Sequence, residues 1–230
     1  MAPQRRPRGR PREFDREQAL ETAMRLFWSR GYEPTSISDL TSAIGITPPA
    51  LYGAFGDKKR LFLEAVQHYQ QVVGCYARKA LAEEPTAESA IRRLLLDAMK
   101  AFTEPRNPKG CLVVLGATNC ATESADIFEA IAERRRMADI VVRARIAAGQ
   151  TAGELSDNTD VDALTCVVTA TLYGIAVKAR DGAPRVQLRA AIEQLMAMWP
   201  RRTPNEPDPA RRVVVKARRL SRRPKRSPVE

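Results

Sequence analysis

Histidine is nearly missing from this sequence: one residue, His68, accompanies four cysteines at positions 75, 111, 120 and 166. No two cysteines form a CxxC pair, so the ligand spacing of a structural zinc site is lacking. The sequence also has no glycine-rich phosphate loop and no paired carboxylates in an apolar setting, which leaves no candidate nucleophile and base. These absences argue against an enzyme and predict neither a metal nor a cofactor.

Long apolar runs are missing as well. No apolar run approaches the ~20 residues that a transmembrane helix needs. The basic N-terminus is not followed by the apolar region of a secretory signal. We therefore expect a cytoplasmic protein with reduced thiols and no membrane partner.

Acidic residues are scarce at the two ends of the chain. Residues 1–12 carry a net charge of +5 and residues 201–230 carry +8, out of +11 for all 230 residues, so the body between them is close to neutral at −2. Both ends lack amphipathic periodicity, and we predict a disordered basic arm over 1–12 and a disordered basic tail over 200–230. Such ends favour nucleic acid as a partner because binding releases counterions.

The arm contains Arg8-Gly9-Arg10-Pro11-Arg12, which resembles the core of an AT-hook. Arg8 and Arg10 are therefore candidates for contacts in an A·T minor groove, where the negative potential of the narrow groove attracts arginine. The alternative, an arm that contacts phosphates only, stays open.

The region 36–55 has the pattern of two short helices joined by a tight turn. Ser36 is a good N-cap with Asp39 three residues later, and Gly45 occupies the position where a helix ends in a left-handed residue. Thr47 is the expected N-cap of the second helix, whose first two positions are prolines. A helix pair with a glycine turn is the layout of a DNA-binding helix-turn-helix, although an ordinary helical hairpin has the same pattern.

Helical periodicity accounts for the rest of the body, so we predict an all-α fold. A helix capped by Asp15 precedes the helix-turn-helix, and later helices are predicted over 57–81, 87–102, 124–149, 160–180 and 184–198. The segment 110–117 is apolar on all sides and is predicted to be buried. In the helix over 124–149, the residues expected to face the core include Phe128 and Met137.

Residues 13–66 resemble the DNA-binding domain of the TetR family of regulators. The resemblance rests on runs such as Gly31-Tyr32, Gly45-Ile46-Thr47, Leu51-Tyr52 and Phe55-Gly56-Asp57-Lys58, which keep the family's spacing without gaps. It implies a three-helix DNA-binding domain over 13–58 and a larger helical regulatory and dimerisation domain over 59–199. Pro48-Pro49 and Gly53-Ala54 depart from the family's usual residues, so no operator sequence can be transferred.

The resemblance further implies a repressor that binds a near-palindromic operator as a homodimer, pairs through its last two helices, and is released by a small-molecule inducer. Placement in the motif predicts two sets of DNA contacts. We expect phosphate contacts from Thr35, Ser36, Tyr52 and Lys58, and contacts to base edges from Thr47, Pro48, Pro49 and Gly53. A sequence-tolerant architectural protein acting through its basic tails is the alternative.

The sequence predicts the inducer site in less detail than the DNA contacts. Candidate lining residues, for which plain core packing is the alternative, are Met99, Phe102, Cys111, Leu115, Phe128 and Met137. Gly110-Cys111-Leu112, together with Leu26-Phe27-Trp28, loosely resembles a copper-responsive, ComR-like subgroup of the family. The inducer therefore stays open between an organic ligand, a thiol-reactive agent and copper, with Cys111 and Cys120 as the cysteines concerned.

Overall fold

The computed structural model describes residues 15–203, which form an all-α fold as predicted. Within these residues the one β-type pairing is an isolated antiparallel bridge between Leu155 and Arg201. A 3-10 turn, Thr122–Ser124, precedes α8. The helices are α1 (Arg16–Arg30), α2 (Ile37–Ile44), α3 (Pro48–Phe55), α4 (Lys58–Val72), α5 (Cys75–Glu83), α6 (Ala87–Phe102), α7 (Leu112–Leu115), α8 (Ala125–Thr151), α9 (Val161–Arg180) and α10 (Arg185–Ala197).

The first three helices begin and end where the caps predict. The Asp15 carboxylate accepts hydrogen bonds from two backbone N–H groups of the first turn of α1. Ser36 and Asp39 form a reciprocal capping box at the start of α2, and Gly45 ends that helix at φ 80° and ψ 33°. This left-handed residue turns the chain sharply enough for α3 to begin three residues later.

The long helix predicted over 57–81 is two helices in the structure. α4 ends at Val72, and the N–H groups of Val73 and Gly74 both donate to the Tyr69 carbonyl before α5 begins. A side chain at Gly74 would lie 3.1 Å from the Cα of Gln70, so the glycine permits this close turn. α4 packs mainly on α1, and α5 packs on α6.

α6 is the central helix of the larger domain. Thr86 and Ser89 form its capping box, and its apolar face is buried along the whole length of the helix. The helix packs against α5, α8, α9 and α10, which places the core of this domain around it.

The buried segment 110–117 forms only one helical turn, α7. Gly110 has φ 84°, and a side chain there would collide with Leu115 Cδ1 at 2.6 Å and with the Ala176 carbonyl oxygen at 2.9 Å. The chain passes close to α9 at Gly110, directly before α7, so the helix does not extend in that direction. At its other end α7 stops at Gly116. Cys111 and Cys120 therefore do not share one helix.

α8 differs from the prediction in the face that it buries. Ile127, Ile131, Val142 and Ile146 point into the core. Phe128 and Met137, predicted to face inward, are 42% and 49% exposed, because α8 is covered on one side only. Ile140 and Val141 are exposed as well.

By length and composition alone, α9 is apolar enough to cross a membrane. This differs from the expectation that the chain has no apolar run of transmembrane length. The helix packs on α6 and α8, and Val168, Leu172, Ile175 and Ala176 are among its buried residues. Its exposed face carries Ala163, Cys166, Val167, Ala170 and Val177.

Candidate nucleic-acid interface and regulatory core

α3 is anchored by two side chains and exposes nearly all the others. Leu51 and Phe55 are buried against α1, α2 and α4, while Ala54 is half-buried. The residues predicted to face DNA from this helix and its N-cap are all exposed, namely Thr47, Pro48, Pro49, Tyr52 and Gly53. Tyr52 is 48% exposed, and a side chain added at Gly53 would meet no atom within 4 Å.

Thr47 differs from its expected role as a side-chain cap, because its hydroxyl makes no capping hydrogen bond. An N-cap oxygen normally accepts from the second or third helical N–H group. In α3 the second position is Pro49, which has no N–H. The Thr47 hydroxyl is therefore available to a partner outside the helix.

Arg16 holds the C-terminal end of α3 in place, a role that the sequence analysis missed. Its guanidinium lies 4.7 Å from the centre of the Phe55 ring, and its Nε donates to the Ala54 carbonyl at 3.4 Å. The two terminal nitrogens donate to both carboxylate oxygens of Glu64 on α4 at 2.6 and 2.8 Å. The sequence does not predict this contact, because the partners of Arg16 lie 38 to 48 residues away along the chain.

Two residues predicted to bind phosphate have intramolecular partners. Thr35 is fully buried and its hydroxyl donates to the Gly31 carbonyl at 2.7 Å, so the predicted phosphate contact of Thr35 is wrong. The Ser36 hydroxyl is exposed but donates to Asp39 Oδ2 at 2.5 Å within the capping box. This hydrogen bond, with help from Arg30, lowers the pKa of Asp39 to about 2.

Lys58 is half-buried, and its ammonium lies against the turn that follows α1. Its ammonium lies 4.2 Å from the centre of the Tyr32 ring and 3.4 Å from the Glu33 carbonyl oxygen. Burial lowers the pKa of Lys58 and raises that of Tyr32 to about 12. The cation at the start of α4 thus has a structural role, a cation–π contact, and its phosphate contact stays a prediction.

α1 and the turn that follows it are joined by hydrogen bonds to backbone groups of the segment around α7. The indole N–H of Trp28 donates to the Gly110 carbonyl at 3.1 Å. The Tyr32 N–H donates to the Gly116 carbonyl at 2.7 Å. One turn of helix therefore lies between two hydrogen bonds that join the domains.

Charged side chains add a second set of links between the domains. Lys59 pairs with Asp126 at 2.8 Å, and Glu33 Oε1 accepts from the Ala121 N–H at 3.0 Å. A hydrogen bond from Ser124 lowers the pKa of Glu33. Arg180, at the end of α9, donates to the Ser29 carbonyl at 2.6 Å. A displacement of α7 or α9 would therefore be transmitted to α1 and α4 through residues that are in direct contact.

Four of the six predicted inducer-lining residues meet in the regulatory core. Met99, Phe102 and Cys111 are buried, and Leu115 packs partly buried against the same cluster. Phe128 and Met137 do not join them, because both lie on the exposed side of α8. Their prediction as lining residues is therefore wrong for an interior site.

The buried hydroxyl of Tyr69 lies beside the Cys111 thiol without a partner in hydrogen-bond geometry. Burial raises the pKa of both groups, so the Cys111 thiol is held in its protonated, weakly nucleophilic form. An unsatisfied hydroxyl in an apolar core is a candidate anchor for a polar atom of a ligand.

An open groove of about 450 Å³ lies between α1, α4 and α8. On its wall, His68 Nε2 lies 3.1 Å from Glu21 Oε2, and Glu64 is held by Arg16. The predicted inducer-lining residues do not contribute to this groove. Its lining residues are Leu20, Leu63, Glu64, Gln67, His68, Gln71 and Arg134.

The basic arm with Arg8 and Arg10, and the tail beyond residue 203, lie outside the described residues. Within 15–203, no group of three or more His, Cys, Asp or Glu residues is placed to hold a metal ion. The four cysteines, all in that range, are unpaired thiols.

Comparison with known proteins agrees with this arrangement. ComR, an HTH-type transcriptional repressor of Escherichia coli K12, is 31% identical over 194 residues, which cover 84% of this chain and 92% of ComR. The repressor BdcR of the same organism is 27% identical over 191 residues, covering 82% of this chain and 87% of BdcR. The match to ComR confirms the resemblance to the ComR-like subgroup.

Among solved structures, a cysteine mutant of the TetR family transcriptional regulator CifR, complexed with 26-bp double-strand operator DNA, is 40% identical. That comparison has a TM-score of 0.79 and covers 84% of this chain and 100% of the CifR chain. Residues 19–65 match the model of the tetR family of bacterial regulatory proteins, and residues 87–195 match that of the tetracyclin repressor-like C-terminal domain. Because both its DNA-binding and its regulatory part match, the chain belongs to the TetR family of transcriptional regulators.

Proposed function

We propose that this protein is a ligand-responsive repressor that binds a near-palindromic operator as a homodimer in the cytoplasm. The observation that carries the proposal is the exposed face of α3, held at a fixed angle by the Gly45 turn and by Arg16. The second of two short helices joined in this way is the one that enters the major groove of DNA. The operator-bound CifR relative supports the same geometry.

The DNA contacts that remain proposed come mainly from α3, its N-cap and the arm. Thr47, Pro48, Pro49 and Gly53 face base edges, and the Tyr52 hydroxyl reaches a phosphate. Arg8 and Arg10 enter an adjacent minor groove. Ser36 and Lys58 remain proposed phosphate contacts as well, whereas Thr35 leaves the set because its hydroxyl is buried and engaged inside the protein.

We also propose that the homodimer forms through α9 and α10. The exposed residues of α9 recur at intervals of three and four positions and are small or apolar, which suits close packing of a second helix. A side chain added at Gly174 would meet no atom within 4 Å, so a partner helix can approach the α9 backbone there. Val186 on α10 and Met198 directly after it are exposed apolar residues as well.

Regulation is assigned to the core around α6 and α7. A small molecule that packs against Met99 and Phe102 and hydrogen-bonds to the Tyr69 hydroxyl would displace α7. That movement would disturb the hydrogen bonds from Trp28 and Tyr32 to this segment. A tenfold loss of operator affinity needs only about 1.4 kcal/mol of coupling between the two sites.

Selection of bound sequences from a random duplex pool tests this function against the architectural alternative. The comparison uses the full chain and a version trimmed to residues 15–203, which keeps the contacts of Arg201 with Glu88 and Leu155. A repressor enriches one near-palindromic sequence in both forms. A trimmed form that prefers no sequence over random DNA would support the alternative, in which basic tails bind DNA without sequence preference. Compounds are then screened for release of the selected operator.

A further inference from the structure

The face that α3 presents to DNA has few hydrogen-bonding groups. From Pro48 to Phe55, Tyr52 is the one residue with a polar side chain, and the N-cap Thr47 adds a hydroxyl. The usual side-chain readers of bases are arginine or lysine for guanine, asparagine or glutamine for adenine, and aspartate or glutamate for cytosine. α3 contains none of these residue types.

The backbone of α3 is also poor in donors. The first N–H groups of a helix have no internal partner and often bind phosphates or base edges. In α3 two of these positions are Pro48 and Pro49, which have no N–H, and the Leu51 N–H already donates to the Thr47 carbonyl. The Ala50 N–H is therefore the one unpaired donor within the first turn of α3 proper.

What α3 offers instead is apolar surface at the end that contacts bases. Pro48, Pro49 and Ala50 are exposed in the first turn, and Gly53 leaves the next turn open for close approach. The N-terminal residues of a recognition helix are those that reach base edges. In the major groove, the one apolar group on a base edge is the C5 methyl of thymine.

We propose that the pyrrolidine rings of Pro48 and Pro49 select thymine in each operator half-site by packing on its C5 methyl group. This inference rests on the proposed function, because it requires α3 to lie in the major groove. Specificity then comes from apolar contact and shape, with Thr47 and Tyr52 fixing the register through hydrogen bonds.

The test replaces thymine by deoxyuracil at single positions of the selected operator, using the full-length protein. Deoxyuracil pairs like thymine but lacks the methyl group. We expect about fourfold weaker binding for each contacted methyl, the equivalent of one buried methylene group. Substitution at thymines outside the half-sites is the DNA control and should leave affinity unchanged.

The variant Pro48→Ala/Pro49→Ala assigns the effect to the prolines. Alanine suits the first turn of a helix, so the fold is retained, which circular dichroism verifies. Alanine has a smaller apolar surface than the pyrrolidine ring, so we expect this variant to discriminate thymine from deoxyuracil by a smaller factor than the native protein does. The matched control is Pro85→Ala, an exposed proline between α5 and α6, which should keep the discrimination of the native protein.

The outcomes separate the inference from the proposed function. Equal binding of thymine and deoxyuracil operators by the native protein would overturn the inference and leave the repressor function standing. So would a deoxyuracil effect of undiminished size in the double-alanine variant, since the methyl would then be read by another group. Failure to enrich any sequence from the random pool would overturn both.

Discussion

At the scale of single residues, Tyr52 is the clearest polar contact that the structure leaves free for DNA. Tyr52→Phe removes the hydroxyl and keeps the ring, which is exposed and supports little of the core. We expect operator affinity to fall at least about tenfold, because a hydrogen bond to a charged phosphate contributes about 1.5–3 kcal/mol. The dependence of log K on log salt should not change, because no cation is lost. Titrations at several salt concentrations measure both quantities, and an unchanged affinity would remove Tyr52 from the interface.

The capping box of α2 gives a prediction for the dependence of stability on pH. The pKa of Asp39 is about 2, below its ordinary value of about 3.9, because the carboxylate accepts from the Ser36 hydroxyl and N–H and pairs with Arg30. A lowered folded-state pKa means that the stabilisation is complete above the unfolded value and is lost as the pH falls toward 2. Asp39→Asn should therefore be less stable than the native protein at pH 7. The free energies of unfolding of the two proteins should become equal as the pH falls from about 4 to 2.

Urea unfolding at a series of pH values measures this convergence. The difference between the midpoints of the native protein and Asp39→Asn is followed from pH 7 to pH 2. A difference that stays constant over this range would show that the ionised carboxylate contributes nothing through the capping box.

At the scale of secondary-structure elements, Arg16 on α1 contacts the C-terminal end of α3, and we expect this contact to position α3 more than it stabilises the fold. Its ion pair with Glu64 is half-exposed, so Arg16→Gln should cost less than about 1 kcal/mol of stability. Operator affinity should fall severalfold because the C-terminal end of α3 loses its contact with the guanidinium. The salt dependence should be that of the native protein, whereas loss of a phosphate contact would reduce its slope by about 0.9.

Arg25→Gln is the matched control for Arg16. Arg25 pairs with Glu21 on the same helix, and its partners do not include α3. We expect its operator affinity to stay close to that of the native protein. A lower salt slope for Arg16→Gln would identify Arg16 as a direct phosphate contact and contradict the positioning role.

Elements with strong local signals could be predicted from the sequence, and those governed by distant contacts could not. The caps at Asp15 and Ser36 and the turn at Gly45 use partners within four residues, so their geometry follows from spacing. Periodicity located α8 but assigned Phe128 and Met137 to the wrong face, because the neighbours that cover a helix are set by packing. α7 is cut to one turn by contacts of Gly110 with α9, some 66 residues away.

The residues of the candidate site also fall into those whose exposure the sequence predicts and those whose environment depends on packing. Exposure of Thr47 and Tyr52 follows from the burial of Leu51 and Phe55 on the opposite side of a short helix. The burial of Thr35 and the half-buried position of Lys58 depend on Gly31 and Tyr32, whose positions are set by the turn after α1. A hydroxyl or ammonium in a plausible place is thus not sufficient evidence of a DNA contact.

At the scale of the whole molecule, the proposed function requires two copies that place their α3 helices in successive major grooves of the operator. Val167 on α9 is 47% exposed and lies in the face proposed to pair with a second subunit. Val167→Glu would place two carboxylates in an apolar interface, one from each subunit, at a cost that an exposed position does not carry. We expect a folded monomer whose operator affinity is at least a hundredfold lower, because half-sites one or more helical turns apart require two linked helices.

Val141→Glu on α8 is the matched control, since Val141 is 48% exposed and lies outside the proposed interface. This variant should remain dimeric and bind the operator normally. Sedimentation equilibrium gives the oligomeric state of both variants, and operator titrations give their affinities. If Val141→Glu dissociated the dimer and Val167→Glu left it intact, the dimer interface would lie on α8 and not on α9. The spacing of the two α3 helices, and hence of the half-sites, would then have to be derived from α8 instead.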